Sequence, residues 1–115
     1  MKYMLLICAD ENAELTAEQQ AEIGPTMDAW LKDVDGRGVR LLGSQLRPVS
    51  DATTVRTRGG DVLVADGPFA ETKEQILGFD VIECADLDTA IQAATRHPVA
   101  LLGGMVEIRP FLADS

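Results

Sequence analysis

Hydrophobic positions in this chain change period from one stretch to the next, and those changes mark the elements. Tyr3 to Cys8 is apolar on both alternating sets, Tyr3, Leu5, Ile7 and Met4, Leu6, Cys8. A strand apolar on both faces is buried on both faces. Asp10 to Leu15 is a polar loop, and Thr16-Ala17-Glu18-Gln19 has the form of a capping box, with Thr16 as N-cap and Gln19 reaching back. Ile23, Met27, Trp30, Leu31 and Val34 then recur at helical spacing. Gly24-Pro25 predicts a kink or a fresh start within that helix, because proline removes a backbone donor and crowds the preceding turn. Gly36 is the expected terminator, and Trp30 is assigned to the core face of an amphipathic helix.

The pattern then shortens to period two. Val39 to Leu46 reads as a strand, and Gly43 inside it marks a bulge or a close approach. Thr53 to Arg58, Gly59-Gly60 and Asp61 to Ala65 form a hairpin on a two-residue turn; Thr54, Arg56 and Arg58 alternate with Thr53, Val55 and Thr57, so one face is expected to be wet. Leu77 to Ala85 is a further strand. A second helix starts at Asp86 or Asp88, buries Leu87, Ala90, Ile91 and Ala94, and ends at His97-Pro98. The last strand runs from Gly103 to Pro110.

Setting the hairpin aside, the order is strand, helix, strand, strand, helix, strand: two split β-α-β halves, the ferredoxin-like pattern. Right-handed crossovers put both helices on one sheet face. The other face must be buried by association, and a second copy of the sheet is the simplest cover. In this topology the first strand and the Leu77–Ala85 strand lie antiparallel. Cys8 and Cys84 therefore sit at opposite ends of the sheet, too far apart for a disulfide, and are expected as buried free thiols.

Length and charge narrow the function. A chain of 115 residues is expected to be one domain, residues 1–115. Its net charge of −9 argues against binding a phosphate backbone or an anionic membrane surface. The opening apolar run is too short to span a bilayer and lacks a cleavage site, so a cytoplasmic protein is expected. No Cys-x-x-Cys or His-x-x-x-His spacing exists, and neither a metal site nor a cofactor is expected.

Candidate chemistry gathers at Asp66-Gly67-Pro68-Phe69-Ala70-Glu71-Thr72-Lys73-Glu74, between two strands. Asp66-Gly67 suits a tight turn, Pro68 stiffens the corner, and Phe69 is expected to pack as its anchor. Asp66, Phe69, Thr72 and Lys73 would form one wall of the principal cleft. Asp66 is a base if desolvated, but an Asp before Gly more often accepts amides of its own loop. Lys73 between two glutamates reads as a solvated pair. Glu107 and Arg109 fall side by side on one strand face, able to orient a polar ligand or to bridge two subunits. His97, the one histidine, is either a general base or, at the end of the second helix, a group interacting with its dipole; the helix-terminal role is favoured.

The stretch DGPF-A-E-T-K-E-Q with Gly78-Phe79 in the following strand resembles the signature of the DGPF group of YCII-related proteins. The likeness extends to Met1–Leu6, Ala52–Arg56 and Glu107–Pro110. It implies that two sheets pack together as a dimeric α+β barrel, hence a homodimer. Some YCII-type proteins carry a proposed catalytic pair: a His on the first helix and an Asp before the Pro that follows the second. Those positions fall here near Thr26 or Met27 and at His97, so neither member is retained. The resemblance therefore implies, first, a non-catalytic small-ligand-binding or regulatory module. Relatives are associated with alternative sigma factors, and an acidic surface would suit such a basic protein partner. The other reading is a small-molecule lyase or isomerase acting in the barrel cleft. Convergence of Asp66 and His97 on one dry pocket would favour catalysis; its absence would favour binding.

Overall fold

The computed structural model describes residues 1–69 and 74–113. Its elements are β1 (Lys2–Ala9), α1 (Ala17–Gly36), β2 (Arg40–Gln45), β3 (Thr53–Arg58), β4 (Asp61–Asp66), β5 (Gln75–Glu83), α2 (Leu87–Thr95), α3 (Pro98–Leu101) and β6 (Met105–Pro110). Four strands form an antiparallel sheet in the order β2-β5-β1-β6, and β3 and β4 form a separate two-stranded ribbon. This is the split β-α-β arrangement with an inserted hairpin that the element order implies.

The two faces of β1 have different fates. Tyr3, Leu5 and Ile7 are buried against the helices, with Trp30, Val34, Ile82, Ala90 and Ala93 completing the core. Met4, Leu6 and Cys8 alternate onto the opposite face and stay half-buried. Register places Val81, Phe79, Arg109 and Glu107 beside them on that face, and Leu42 pairs with Val81 from β2. Of the residues named on this face only Val81 is buried, short of the burial on both faces that a doubly apolar strand calls for.

α1 starts as expected. Gln19 N–H donates to Thr16 Oγ1 at 3.1 Å, and Thr16 N–H donates to Gln19 Oε1 at 2.9 Å. The fresh start expected at Gly24-Pro25 does not occur: α1 runs unbroken through Pro25. Gly24 and Pro25 are both exposed, so the carbonyl left without a donor can turn to water. The left-handed residue after the helix is Gly38, φ 68°, two positions beyond the expected terminator. The hairpin turn uses Gly59 and Gly60, both at positive φ, but neither strand has a dry face; every residue of β4 is exposed.

The end of α2 also departs from expectation. Asp86 is the N-cap, accepting from Thr89 N–H at 2.9 Å and from Thr89 Oγ1–H at 2.8 Å, which holds its carboxyl below the usual carboxylate range. At the other end His97 begins a short extra helix, α3, with Pro98 at its first turn. Cys8 and Cys84 are free and lie at opposite ends of the sheet, but each is half-buried rather than sealed. Burial, the first cause for both, raises their thiol pKa.

Candidate functional site

The cleft under α1 is built from the half-buried part of the helix stripe. Trp30 and Val34 are buried in the core, Met27 and Leu31 pack against it half-buried, and Ile23 is also half-buried. Between them and the sheet lies a cavity of about 370 Å³, lined also by Ile7, Leu77, Val99, Arg40, Asp80 and His97. A second cavity of about 300 Å³ shares Ile23, Met27, Leu77 and Val99 with it and extends to Gly103-Gly104. Both lie within the size range of small-molecule sites, about 300–1,000 Å³.

A buried ion pair sets the polar end of this cleft. Asp80 stands in the middle of β5 on the helix-facing side and is 6% exposed. Arg40 Nε donates to Asp80 Oδ1 at 2.8 Å, and Arg40 Nη1 lies 3.5 Å from Asp35 Oδ1. Burial raises the Asp80 pKa, against the pull of Arg40. The hydrogen bond to Asp80 in turn raises the Arg40 pKa and holds the guanidinium charged. Gly43 makes room for the pair. A Cβ there would collide with the Asp80 carboxylate and come 2.9 Å from Arg40 Nη2 and 2.8 Å from the Phe79 carbonyl. Gly43 is thus the close approach that a strand glycine signalled, and the register of β2 shifts just before it, between Arg40 and Leu42.

His97 forms the opposite wall and is 2% exposed. Its ring meets Trp30 edge-on, centroids 4.7 Å apart and planes at 71°, while Trp30 Nε1–H donates to the Ala93 carbonyl at 2.8 Å. His97 Nδ1 accepts from Val99 N–H at 3.1 Å. Burial lowers its pKa from 6.5 to about 4. His97 is thus a neutral N-cap of α3, not a cation on the dipole of α2. With Nδ1 committed as an acceptor, Nε2 carries the proton and can only donate.

The Asp66–Glu74 stretch sits elsewhere. Pro68, Phe69 and Glu74 line a cavity of about 610 Å³ at the base of the hairpin with Leu46, Thr54 and Ile76. This is a different cavity from the cleft under α1, and Phe69, expected as a packed anchor, is 75% exposed. Phe69 follows the β3–β4 ribbon, which pairs with no strand of the four-stranded sheet. Gly67 takes the expected left-handed turn, φ 97°. The corner is held by Gly67 N–H to the Ala52 carbonyl and by Thr54 Oγ1–H to the Gly67 carbonyl, each 2.7 Å. Asp66 is exposed at the end of β4 and lines neither His97's cavity nor the hairpin-base cavity. Thr72 and Lys73, with Glu71, lie outside the described residues. Glu107 and Arg109 do come together, Oε2 to Nε at 3.9 Å, but on the uncovered sheet face.

The structure therefore does not bring Asp66 and His97 together; it joins His97 to Arg40 and Asp80 instead. Asp80 had a legible signal: a lone charge inside Ile76–Ile82 needs a buried partner. Among the described residues no three His, Cys, Asp or Glu side chains are placed to hold a metal ion. Phe69→Ala is expected to change the unfolding free energy of the monomeric chain by about 0.5 kcal/mol or less, read from urea melts at high dilution. A loss of several kcal/mol would show that the ring is packed after all.

Comparison with known proteins gives family and fold. The model of the YCII-related domain matches residues 1–112. An uncharacterized protein of Rhizobium meliloti (strain 1021) is 42% identical, over 71% of this chain and 79% of that protein. Among solved structures the chain resembles 5-chloro-2-hydroxyhydroquinone dehydrochlorinase (TftG) from Burkholderia phenoliruptrix AC1100, in complex with 2,5-dihydroxybenzoquinone. The TM-score is 0.51 at 13% identity, covering 96% of this chain and 93% of the other. At that identity the likeness is one of fold, and the fold is that of the dimeric α+β barrels.

Proposed function

The chain belongs to the YCII-related domain family, and from that premise we propose that it is a homodimeric, non-catalytic module that binds a small molecule in the cleft under α1. The observation that carries this reading is the state of the cleft's polar groups. His97 faces it with its acceptor nitrogen already bonded to Val99 N–H, so it offers a proton donor and no base. Asp80 is tied to Arg40, which opposes its taking a proton from a substrate. Apolar walls from Ile23, Met27, Trp30 and Leu31 with donors at Arg40 and His97 suit a compact ring compound bearing hydroxyl or carbonyl oxygens. The compound bound to the structural neighbour, 2,5-dihydroxybenzoquinone, is of that class. A basic, sigma-factor-type protein is the partner that a −9 chain would suit as a regulator, and pairing of two copies through the uncovered sheet face completes the barrel.

The lyase or isomerase reading has one observation in its favour: a buried carboxyl with a raised pKa in a cleft, Asp80. One experiment separates the two. Isothermal titration of the protein with 2,5-dihydroxybenzoquinone is expected to give saturable binding, weakened at least tenfold in Arg40→Gln, with the compound recovered unchanged by chromatography. Conversion of the compound, lost in Asp80→Asn, would establish the enzyme instead. No heat above dilution in the wild-type titration would remove the proposed ligand class.

A further inference from the structure

We propose that the β3–β4 hairpin is an arm that clasps a second copy of this chain, rather than a surface ornament of one copy. The inference rests on the pairing proposed above and adds to it a second, separate contact.

The first observation is the hairpin's separateness among the described residues. It pairs with no strand of the four-stranded sheet, and a two-stranded ribbon alone is marginal in water. The cross-strand pairs Val55 with Val64 and Thr57 with Val62 put three valines on one face of the ribbon. These valines are 61%, 65% and 64% exposed, an arrangement that an isolated ribbon would present as a hazard for edge pairing.

The second observation is shape. The Cα radius of gyration is 16.1 Å and the extents are 47 × 41 × 18 Å; a compact chain of this length would have a radius of about 13 Å. A separate two-stranded ribbon beside a four-stranded sheet fits that extended, flat outline.

Continuity and charge select the occupant. Leu46, Phe69 and Ile76 line the cavity at the base of the ribbon and are all exposed. Ile76 pairs with Cys8, so this surface runs without a break from the ribbon base onto the uncovered sheet face that a second copy covers in the barrel. The ribbon is also the part of the chain best able to approach an acidic copy. Arg56 and Arg58 balance Asp61 and Asp66 within it, so the entire −9 resides elsewhere. Two bodies of that charge repel, while a neutral ribbon with two arginines incurs no such penalty.

Sedimentation velocity over a concentration series tests this with four proteins: the wild-type chain, Val55→Asp/Val64→Asp, Arg56→Glu/Arg58→Glu, and Leu42→Arg on the uncovered sheet face. Circular dichroism monitors folding, which neither ribbon variant should alter. The wild type is expected to be dimeric, and both ribbon variants should raise its dissociation constant at least tenfold. Amides of residues 53–66 should be protected from hydrogen exchange in the dimer and lose that protection on dilution below the dissociation constant. A dimer that is broken by Leu42→Arg but unchanged in both ribbon variants, with freely exchanging ribbon amides, would overturn the arm while leaving the pairing intact. A wild type that is monomeric throughout would overturn the pairing and the arm with it.

Discussion

Replacing Arg40 with alanine is expected to cost about 3–5 kcal/mol of stability at neutral pH, the range for removing one partner of a buried ion pair. Asp80 is nearly sealed between the sheet and the helices, and Arg40 Nε, 2.8 Å from its Oδ1, is the hydrogen-bond donor that compensates its charge. Without that donor the carboxylate keeps its desolvation cost and loses its return. The pH dependence has a definite sign. Burial already raises the folded pKa of Asp80, and Arg40 acts against it; in Arg40→Ala only the upward push remains. A carboxyl whose folded pKa lies above its unfolded value destabilises the fold above that pKa and recovers as it is protonated. The loss should therefore shrink as pH falls toward the raised pKa, and Arg40→Met/Asp80→Leu should regain much of it at pH 7. Urea midpoints at pH 7 and near pH 4 check this. A loss below about 1 kcal/mol at pH 7 would mean that the pair behaves as a solvated surface pair.

The second expected effect belongs to His97. Its folded pKa of about 4 lies below an ordinary 6.5, so the unfolded chain takes up a proton that the folded chain refuses. The sign follows: the stability this group contributes is fully present above about pH 6.5 and is lost as pH falls toward 4, in total about 3 kcal/mol. His97→Asn preserves an N-cap side chain able to accept from Val99 N–H but has nothing to titrate. The variant will be less stable at pH 7, since it loses the edge contact with Trp30. Its deficit relative to the wild type should narrow by about 2–3 kcal/mol between pH 7 and pH 4. Asp80 and the surface carboxylates titrate in both proteins and cancel in the difference. Parallel stability curves over that interval would show that His97 is not held neutral by burial.

Both effects arise at residues whose surroundings the amino-acid order only partly discloses. The doubly apolar β1, the capping box at Thr16, the Gly59-Gly60 turn and the order of strands and helices were all readable locally. Each depends on residues within a few positions of one another, and side-chain period and turn chemistry act at that range. The same local rules placed Gly43 at a close approach and Glu107 beside Arg109. They also misled in places. Of the kink or fresh start that Gly24-Pro25 suggested, the fresh start does not occur, since an exposed turn can leave one carbonyl to water without breaking. His97 followed a helix and suggested a helix-terminal role there; it does cap a helix, but as N-cap of α3, with Trp30, from a helix more than sixty positions earlier, as its neighbour in space.

What only the tertiary structure decided is which side chains share a cleft. Asp66 and His97 both have chemistry to offer, and nothing in their spacing says that a separate ribbon carries one while the packing of α1 seals the other. Arg40 and Asp80 meet across forty positions because β2 and β5 lie side by side, and Asp80 counts for more than an exposed aspartate because Leu5 and Gly43 flank it in the sheet. Charge type is written in the sequence. The dielectric around that charge, and so its pKa and its role, is set by what packs against it from elsewhere in the chain.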